Sequence, residues 1–320
     1  MRGVYPILVT PFDENSRVDE ESLRSLVEFN LKAGVHGLGV AMGSEIFRLS
    51  EAERVQVTRI IVDQARGRVP VVINTSATGT ELALVYSSMA EENGADALML
   101  TPPIPMGMGT PAGPAGIREY FKAISDAVNI PIFIQSTSST PVGASLARHI
   151  AEESENVRYI KEETTPPPAR IAEAVKQAGE LLVVFGGAGG NYFIEEMRRG
   201  SGGTMPSCSQ PEAFAKVWNL FHSGDEKAAS ELLHQAILRV NRLSGLTWGG
   251  FFHVNKEILR QRGIIRTAVV RGPVVPLDEL TRQELQAVID ELYGSERSPT
   301  ASTGGQREDH QCGGHTFPGF

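Results

Sequence analysis

Apolar positions along the chain alternate between two periods. Short runs rich in β-branched residues recur at 6–10, 37–41, 69–75, 97–101, 131–135, 157–161, 182–186 and 203–205. Between and after them, apolar residues take helical spacing near 20–33, 51–66, 80–93, 115–127, 144–153, 168–178, 191–199 and 210–222. Leu23, Leu26, Val27, Phe29 and Leu31, for example, fall mostly on one helical face. Asp19 is placed to cap that helix, with Glu20 and Glu21 in its first turn. Eight strand–helix units predict a closed parallel (β/α)8 TIM barrel. The alternative is an open doubly wound sheet, which usually carries a Gly-rich nucleotide turn after its first strand. Here that turn is Thr10-Pro11-Phe12-Asp13, which argues for the barrel.

Further helical segments near 225–243, 250–263 and 278–292 read as a C-terminal helical extension. The expected layout is a barrel over 1–222 and, in the same domain, an extension over 223–293. From 294 to 320 the chain turns polar, Gly-rich and aperiodic, which predicts a disordered tail.

Composition narrows the function classes. A chain of 320 residues buries a sizeable core. With 41% hydrophobic and 21% charged residues, wholesale disorder is excluded. A formal charge of −8 argues against a general nucleic-acid or anionic-membrane binder. No apolar run nears the ~20 residues that span a bilayer. The N-terminal stretch lacks the basic and apolar regions of a signal peptide. The expectation is a cytoplasmic enzyme. Cys208 and Cys312 make neither a disulfide framework nor a zinc site. His310, Cys312 and His315 sit in the tail without a scaffold to orient metal ligands.

In a (β/α)8 enzyme the chemistry sits at the C-terminal strand ends. The outstanding residue there is Lys161. Strand alternation puts Val157, Tyr159, Lys161 and Glu163 on one face and Ile160 on the other. If Ile160 faces the helices, Lys161 points into the barrel mouth. Burial disfavours an ammonium, and a neutral amine attacks a ketone to form a Schiff base. The competing reading is a structural ion pair between Lys161 and Glu163, and spacing alone does not separate the two.

Several segments in order carry a family resemblance: Val9-Thr10-Pro11-Phe12, Gly34-Val35-x-Gly37-Leu38 and Glu45-x-x-x-Leu49-Ser50-x-x-Glu53-Arg54. Gly67-Arg68-Val69-Pro70-Val71, Gly94-Ala95-Asp96-Ala97, Ile130-Pro131-Ile132 and Ile160-Lys161-Glu162 continue the series. Over roughly residues 3–293 the chain resembles the dihydrodipicolinate synthase and N-acetylneuraminate lyase family of class I Schiff-base lyases. The resemblance implies that Lys161 forms the imine. It also implies a small-molecule 2-oxo acid substrate, no metal or other cofactor, and a homo-oligomer, commonly a tetramer.

The departures from the family are informative. Where the family has Gly-Thr-Thr-Gly-Glu, this chain has Ala41-Met42-Gly43-Ser44-Glu45. Pro102-Pro103-Ile104 replaces Pro-Tyr-Tyr, and Gln135-Ser136-Thr137-Ser138 replaces Tyr-Asn-x-Pro. The Tyr–Thr–Tyr proton relay has none of its members, and Thr140 stands near the position of the synthases' carboxylate-binding arginine. A glutamine cannot replace a phenol as a general acid–base. These departures argue against both synthase and neuraminate lyase activity. Instead, Lys161-Glu162-Glu163-Thr164-Thr165-Pro166-Pro167, Phe185-Gly186-Gly187-x-Gly189-Gly190 and Glu195-Glu196-x-x-Arg199-Gly200-x-x-Gly203-Thr204-Met205 resemble a divergent subgroup. Lys256-Glu257-x-Leu259-Arg260-x-Arg262-Gly263 belongs with them. That subgroup comprises dehydratases of 2-keto-3-deoxy sugar acids, of the L-2-keto-3-deoxyarabonate type. A pyruvate-releasing aldolase and a non-catalytic barrel that binds a 2-oxo acid are the alternatives.

Within this resemblance Glu163 is the expected proton carrier beside the imine. Gln135 and Ser136 are expected to hold substrate hydroxyls, or else to form a water-filled polar layer. Gly43 and Ser44 are expected to offer donors to the substrate carboxylate, with a plain turn as the alternative. Glu45 is expected to order that turn. Gly186 and Gly187 are expected to let backbone approach the substrate. Glu195 and Glu196 read as a solvated helix face. Trp248, Phe251, Phe252 and His253 are candidates to close the pocket from the C-terminal helices, with core or subunit interface as the favoured reading.

Overall fold

The computed structural model describes residues 1–103 and 113–294. Eight parallel strands alternate with helices. The strands are β1 (Gly3–Val4), β2 (Leu38–Val40), β3 (Val71–Asn74), β4 (Ala97–Leu100), β5 (Ile132–Ser136), β6 (Val157–Glu162), β7 (Val183–Gly186) and β8 (Gly203–Thr204). The helices that follow them are α1 (Glu20–Lys32), α2 (Glu51–Ala65), α3 (Thr80–Glu92), α4 (Pro114–Ala127), α5 (Ala144–Glu153), α6 (Pro167–Ala178), α7 (Phe193–Arg198) and α8 (Pro211–His222). Ile104 of the segment after β4 lies outside the described residues, as does 295–320 with His310, Cys312 and His315.

The strands pair in the order β1-β8-β7-β6-β5-β4-β3-β2. β1 covers only Gly3–Val4, ahead of the expected 6–10 run, which opens on Pro6 and its missing ladder N–H. Backbone bonding continues past it. Ile7 N–H donates to Pro206 O at 2.8 Å, Leu8 N–H to Gly39 O at 2.8 Å, and Gly39 N–H to Pro6 O at 2.9 Å. Ile7 therefore bridges to Ser207 on one side and to Gly39 on the other, linking the two ends of the strand order.

Strand alternation sorts the apolar residues into two shells. Tyr5, Phe133, Tyr159 and Phe185 meet inside the ring of strands with Met99 and Met205. Phe133 and Tyr159 stack at 4.3 Å between ring centroids. Leu98, Ile134, Ile160 and Val184 face outward onto the helices. Val157 also faces outward, contrary to the expected alternation. The register shifts at Ile132/Phe133, so Val157 pairs with Ile132 and Tyr159 with Phe133, leaving Arg158 unopposed. From Tyr159 onward the alternation holds, which sends Lys161 inward.

Local signals set the helix starts. Asp19 accepts from Ser22 N–H at 3.1 Å, the expected cap of α1. Ser50 and Glu53 form a reciprocal capping box at α2, with Ser50 N–H donating to Glu53 at 2.9 Å. After α8 the 225–243 segment is not one helix. It divides into α9 (Glu226–Leu232), a π-turn at Leu233–Ile237 and α10 (Leu238–Ser244). Then come α11 (Gly250–Gln261) and α12 (Glu279–Tyr293), and these helices share an apolar cluster of Val240, Val254, Ile258, Leu285 and Ile289. Among the described residues no helix is long and apolar enough to cross a membrane.

Candidate active site

All strands being parallel, their C-terminal ends share one rim. The pairing of β5, β6 and β7 lines up Gln135, Lys161 and Phe185 in one row, and Ser136, Glu162 and Gly186 in the next. Alternation then sends the first row inward and the second towards the helices.

Inside the rim, Lys161 is 4% exposed. Its Nζ lies 3.0 Å from Glu163 Oε1. The same oxygen accepts the Ala188 N–H at 3.2 Å, and Glu163 Oε2 accepts from Gln135 Nε2 at 2.8 Å. Gln135 Oε1 in turn accepts from Asn74 Nδ2 at 3.1 Å. A continuous polar chain therefore runs Asn74–Gln135–Glu163–Lys161 across β3, β5 and β6. Glu163 is held by one charged and two neutral donors, so its position is well determined. Gly187 is part of this seat, since a Cβ there would lie 2.4 Å from Glu163 Cγ. Ala188 adopts a left-handed φ of 48°, which aims its N–H at the carboxylate.

This chain borders a cavity of about 290 Å³. Met42, Gly43, Met205 and Ser207 line it from the barrel, and Phe251 and Phe252 of α11 close it from above. The Ser207 hydroxyl is buried and finds no hydrogen-bond partner among the described residues. Such an orphan facing a cavity is a ready donor for a ligand oxygen. Among the described residues no group of three or more His, Cys, Asp or Glu side chains is placed to hold a metal ion.

A family model for the dihydrodipicolinate synthetase family matches residues 1–292. The chain belongs to that family. It is accordingly an enzyme of the lyase class, within the class I Schiff-base lyases. It is 29% identical over 298 residues to an L-2-keto-3-deoxyarabonate dehydratase of Azospirillum brasilense, covering 91% of this chain and 94% of the relative. It is 31% identical over 304 residues to a 4-hydroxy-tetrahydrodipicolinate synthase of Sorangium cellulosum, covering 91% and 96%. The crystal structure of the Aquifex aeolicus dihydrodipicolinate synthase superposes with a TM-score of 0.83 at 26% identity, covering 91% of this chain and 98% of that one.

Within this synthetase-family barrel the expected site residues fall into two groups. Lys161, Glu163, Gln135 and Gly43 border the cavity. Ser136 does not, because it neighbours Gln135 on a strand and must face the other way. Its hydroxyl accepts the Val142 N–H at 3.0 Å and braces the loop beyond β5. Ser44 also differs from expectation. Its N–H donates to Ala41 O at 2.8 Å, and its hydroxyl accepts from Ala41 N–H at 3.0 Å while donating to Leu8 O. Both donors are spent holding the turn. Gly186 and Gly187 lie against Glu196 and Glu163 rather than against open cavity.

Glu196 is not on a solvated face. It is fully buried, neither oxygen finds a partner among the described residues, and burial pushes its carboxyl up to about 8. Phe251 and Phe252 are pocket wall, whereas Trp248 is 86% exposed and His253 Nε2 lies 3.1 Å from Val275 O on another side of α11. Glu45 does order its turn. In a left-handed conformation with φ 59°, it takes donors from Lys256 at 2.5 Å, Arg48 at 3.0 Å and the Arg271 N–H at 3.0 Å. Lys256 went unread as a partner because it lies on α11, 211 residues away in sequence. Asn74 and Ser207 were likewise missed. Both are strand-end polar residues, and position at the rim was the signal available.

Proposed function

We propose that the chain dehydrates a 2-keto-3-deoxy sugar acid through a Schiff base on Lys161. The observation that carries this reading is the Glu163 carboxyl, 3.0 Å from Lys161 Nζ and 2.8 Å from the Gln135 amide, at the edge of the cavity. A volume of about 290 Å³ suits a short-chain acid.

The steps follow from that geometry. Glu163 takes a proton from the Lys161 ammonium, and the free amine adds to C2 of the 2-oxo acid. Glu163 returns that proton to the C2 oxygen, which leaves as water and gives an iminium that acidifies the protons on C3. Glu163 then removes a C3 proton and passes one to the hydroxyl on C4, which leaves as water. Hydrolysis of the conjugated imine returns Lys161 and releases a 2-oxo acid that tautomerises to carry an aldehyde. Gln135 orients Glu163 through both events. Gly43 leaves room for the substrate carboxylate, and Ser207 donates to it or to a neighbouring hydroxyl.

Elimination is favoured over C–C cleavage because no phenol stands at the Gln135 position. One carboxylate beside the imine suffices to move a proton from C3 to a leaving hydroxyl, and the dehydratase of Azospirillum brasilense is among the relatives. Product analysis on a series of 2-keto-3-deoxy acids tests the reading. A 2-oxo acid bearing an aldehyde, without pyruvate, supports it. Free pyruvate identifies an aldolase, and no turnover with no trapped imine identifies a binding protein.

A further inference from the structure

Two carboxyl groups back onto one pair of glycines. Phe185 points into the ring of strands, so Gly186 faces the helices and Gly187 turns back towards the barrel. A Cβ on Gly186 would lie 1.9 Å from Glu196 Oε2. A Cβ on Gly187 would lie 2.5 Å from Glu163 Oε1. Glu163 and Glu196 thus sit on opposite faces of the end of β7, with glycine backbone between them and no side chain to separate them. A carboxyl wholly out of water with no hydrogen-bond donor is unfavourable, and more so when charged. Among the described residues no donor reaches either Glu196 oxygen. On α7, Arg198 pairs with Glu226 of α9, and Arg199 Nη1 donates to the Glu195 carbonyl. On α6, Arg170 pairs with Glu173 and Lys176 is exposed. Lys227 of α9 pairs with Glu231 at 4.0 Å. The charges that act on Glu196 are those of Glu195 and Glu163, and the Lys161 ammonium lies beyond them, paired to Glu163 at 3.0 Å.

We propose that Glu196 is a positioning residue that sets the proton affinity of Glu163 across the Gly186–Gly187 backbone, without touching substrate. This rests on Glu163 as the proton carrier. An uncharged Glu196 leaves Glu163 able both to accept the C3 proton and to return one to the leaving hydroxyl. A charged Glu196 repels the Glu163 carboxylate, making it a stronger base and a poorer acid. Burial and the neighbouring Glu195 and Glu163 charges put that changeover at about pH 8.

The experiment follows exchange of pyruvate C3 protons with deuterium, catalysed by the full-length protein, from about pH 6 to about pH 9. Pyruvate has no leaving group, so exchange reads the base step. The wild-type rate relative to Glu196→Gln is expected to be flat below about pH 7 and to rise about threefold through pH 8, following Brønsted behaviour. Glu195→Gln, which removes a charge that helps hold Glu196 uncharged, should keep the rise but move it to lower pH. A flat ratio overturns the proposal, and so does loss of the rise in the Glu195 variant. Should Glu196→Gln fail to fold, a wild-type profile without an inflection near pH 8 overturns it as well. Borohydride trapping of pyruvate is run in parallel. No adduct on Lys161 defeats the Schiff-base reading and this proposal with it, whereas an adduct with a flat ratio defeats the role of Glu196 alone.

Discussion

Two lysines in this molecule are each paired with a glutamate in the interior. Lys256 and Glu45 lie 2.5 Å apart with both side chains fully buried. Lys256 also donates to Val269 O at 2.7 Å and sits 4.4 Å from the Phe12 ring centroid, while Glu45 is saturated by Arg48 and the Arg271 N–H. Burial lowers the Lys256 ammonium to about 8, with Glu45 opposing the shift. Lys161 and Glu163 lie 3.0 Å apart, and their far side is a cavity of about 290 Å³. The same residue types thus make a clamp in one place and, on the proposed function, a reaction centre in the other. The difference is whether space for a third molecule adjoins the pair. The clamp also serves the centre, because it ties the turn carrying Gly43 to α11, which carries Phe251 and Phe252.

The largest expected effect comes from removing the reactive amine. Lys161→Ala should abolish both imine trapping and turnover while the protein remains folded by circular dichroism. Arginine should not rescue it, since a guanidinium stays protonated. Turnover that survives Lys161→Ala would place the nucleophile elsewhere. Next is Glu163→Gln, which keeps the shape and removes the titrating oxygen. It should still form the imine, with kcat reduced by ~10²–10⁴-fold. An imine that fails to form would mean that Glu163 serves chiefly to hold Lys161.

The barrel rhythm was legible from the sequence because parallel strands covered on both faces read as short apolar runs between amphipathic helices. Lys161 and Glu163 were legible because a two-residue spacing on a strand puts both on one face. Ser136 was misplaced for the same rule ignored, since it adjoins Gln135 and cannot share its face. Ser44 looked like a donor to substrate, but the tight turn after β2 consumes its N–H and hydroxyl. Glu196 looked exposed because acidic pairs on helices usually are. Only the packing of the short helix α7 against Gly186 reveals its burial. The Glu45–Lys256 clamp depends on a contact far apart in sequence, which no local pattern encodes.

The clamp makes its own prediction. Lys256→Ala leaves the buried Glu45 carboxylate with only Arg48 and the Arg271 N–H, and loss of one partner from a buried pair typically costs about 3–5 kcal/mol. Denaturant melts should show that loss, while the folded fraction at low denaturant should still trap pyruvate on Lys161. Loss of trapping from fully folded Lys256→Ala would erase the distinction between clamp and centre. The smallest expected effect is at Gln135. Gln135→Tyr supplies a phenol without its threonine or second tyrosine partner, and should not confer condensation of pyruvate with aspartate semialdehyde. Dihydrodipicolinate formed by the wild type or by this variant would show that the missing relay matters less than its chemistry implies.

The most direct test of the account is borohydride reduction of the wild-type protein in the presence of pyruvate, followed by peptide mapping. One reduced pyruvate adduct is expected, on Lys161, with Lys256 unmodified. An adduct on Lys256 or any other lysine, or no adduct at all, would contradict it.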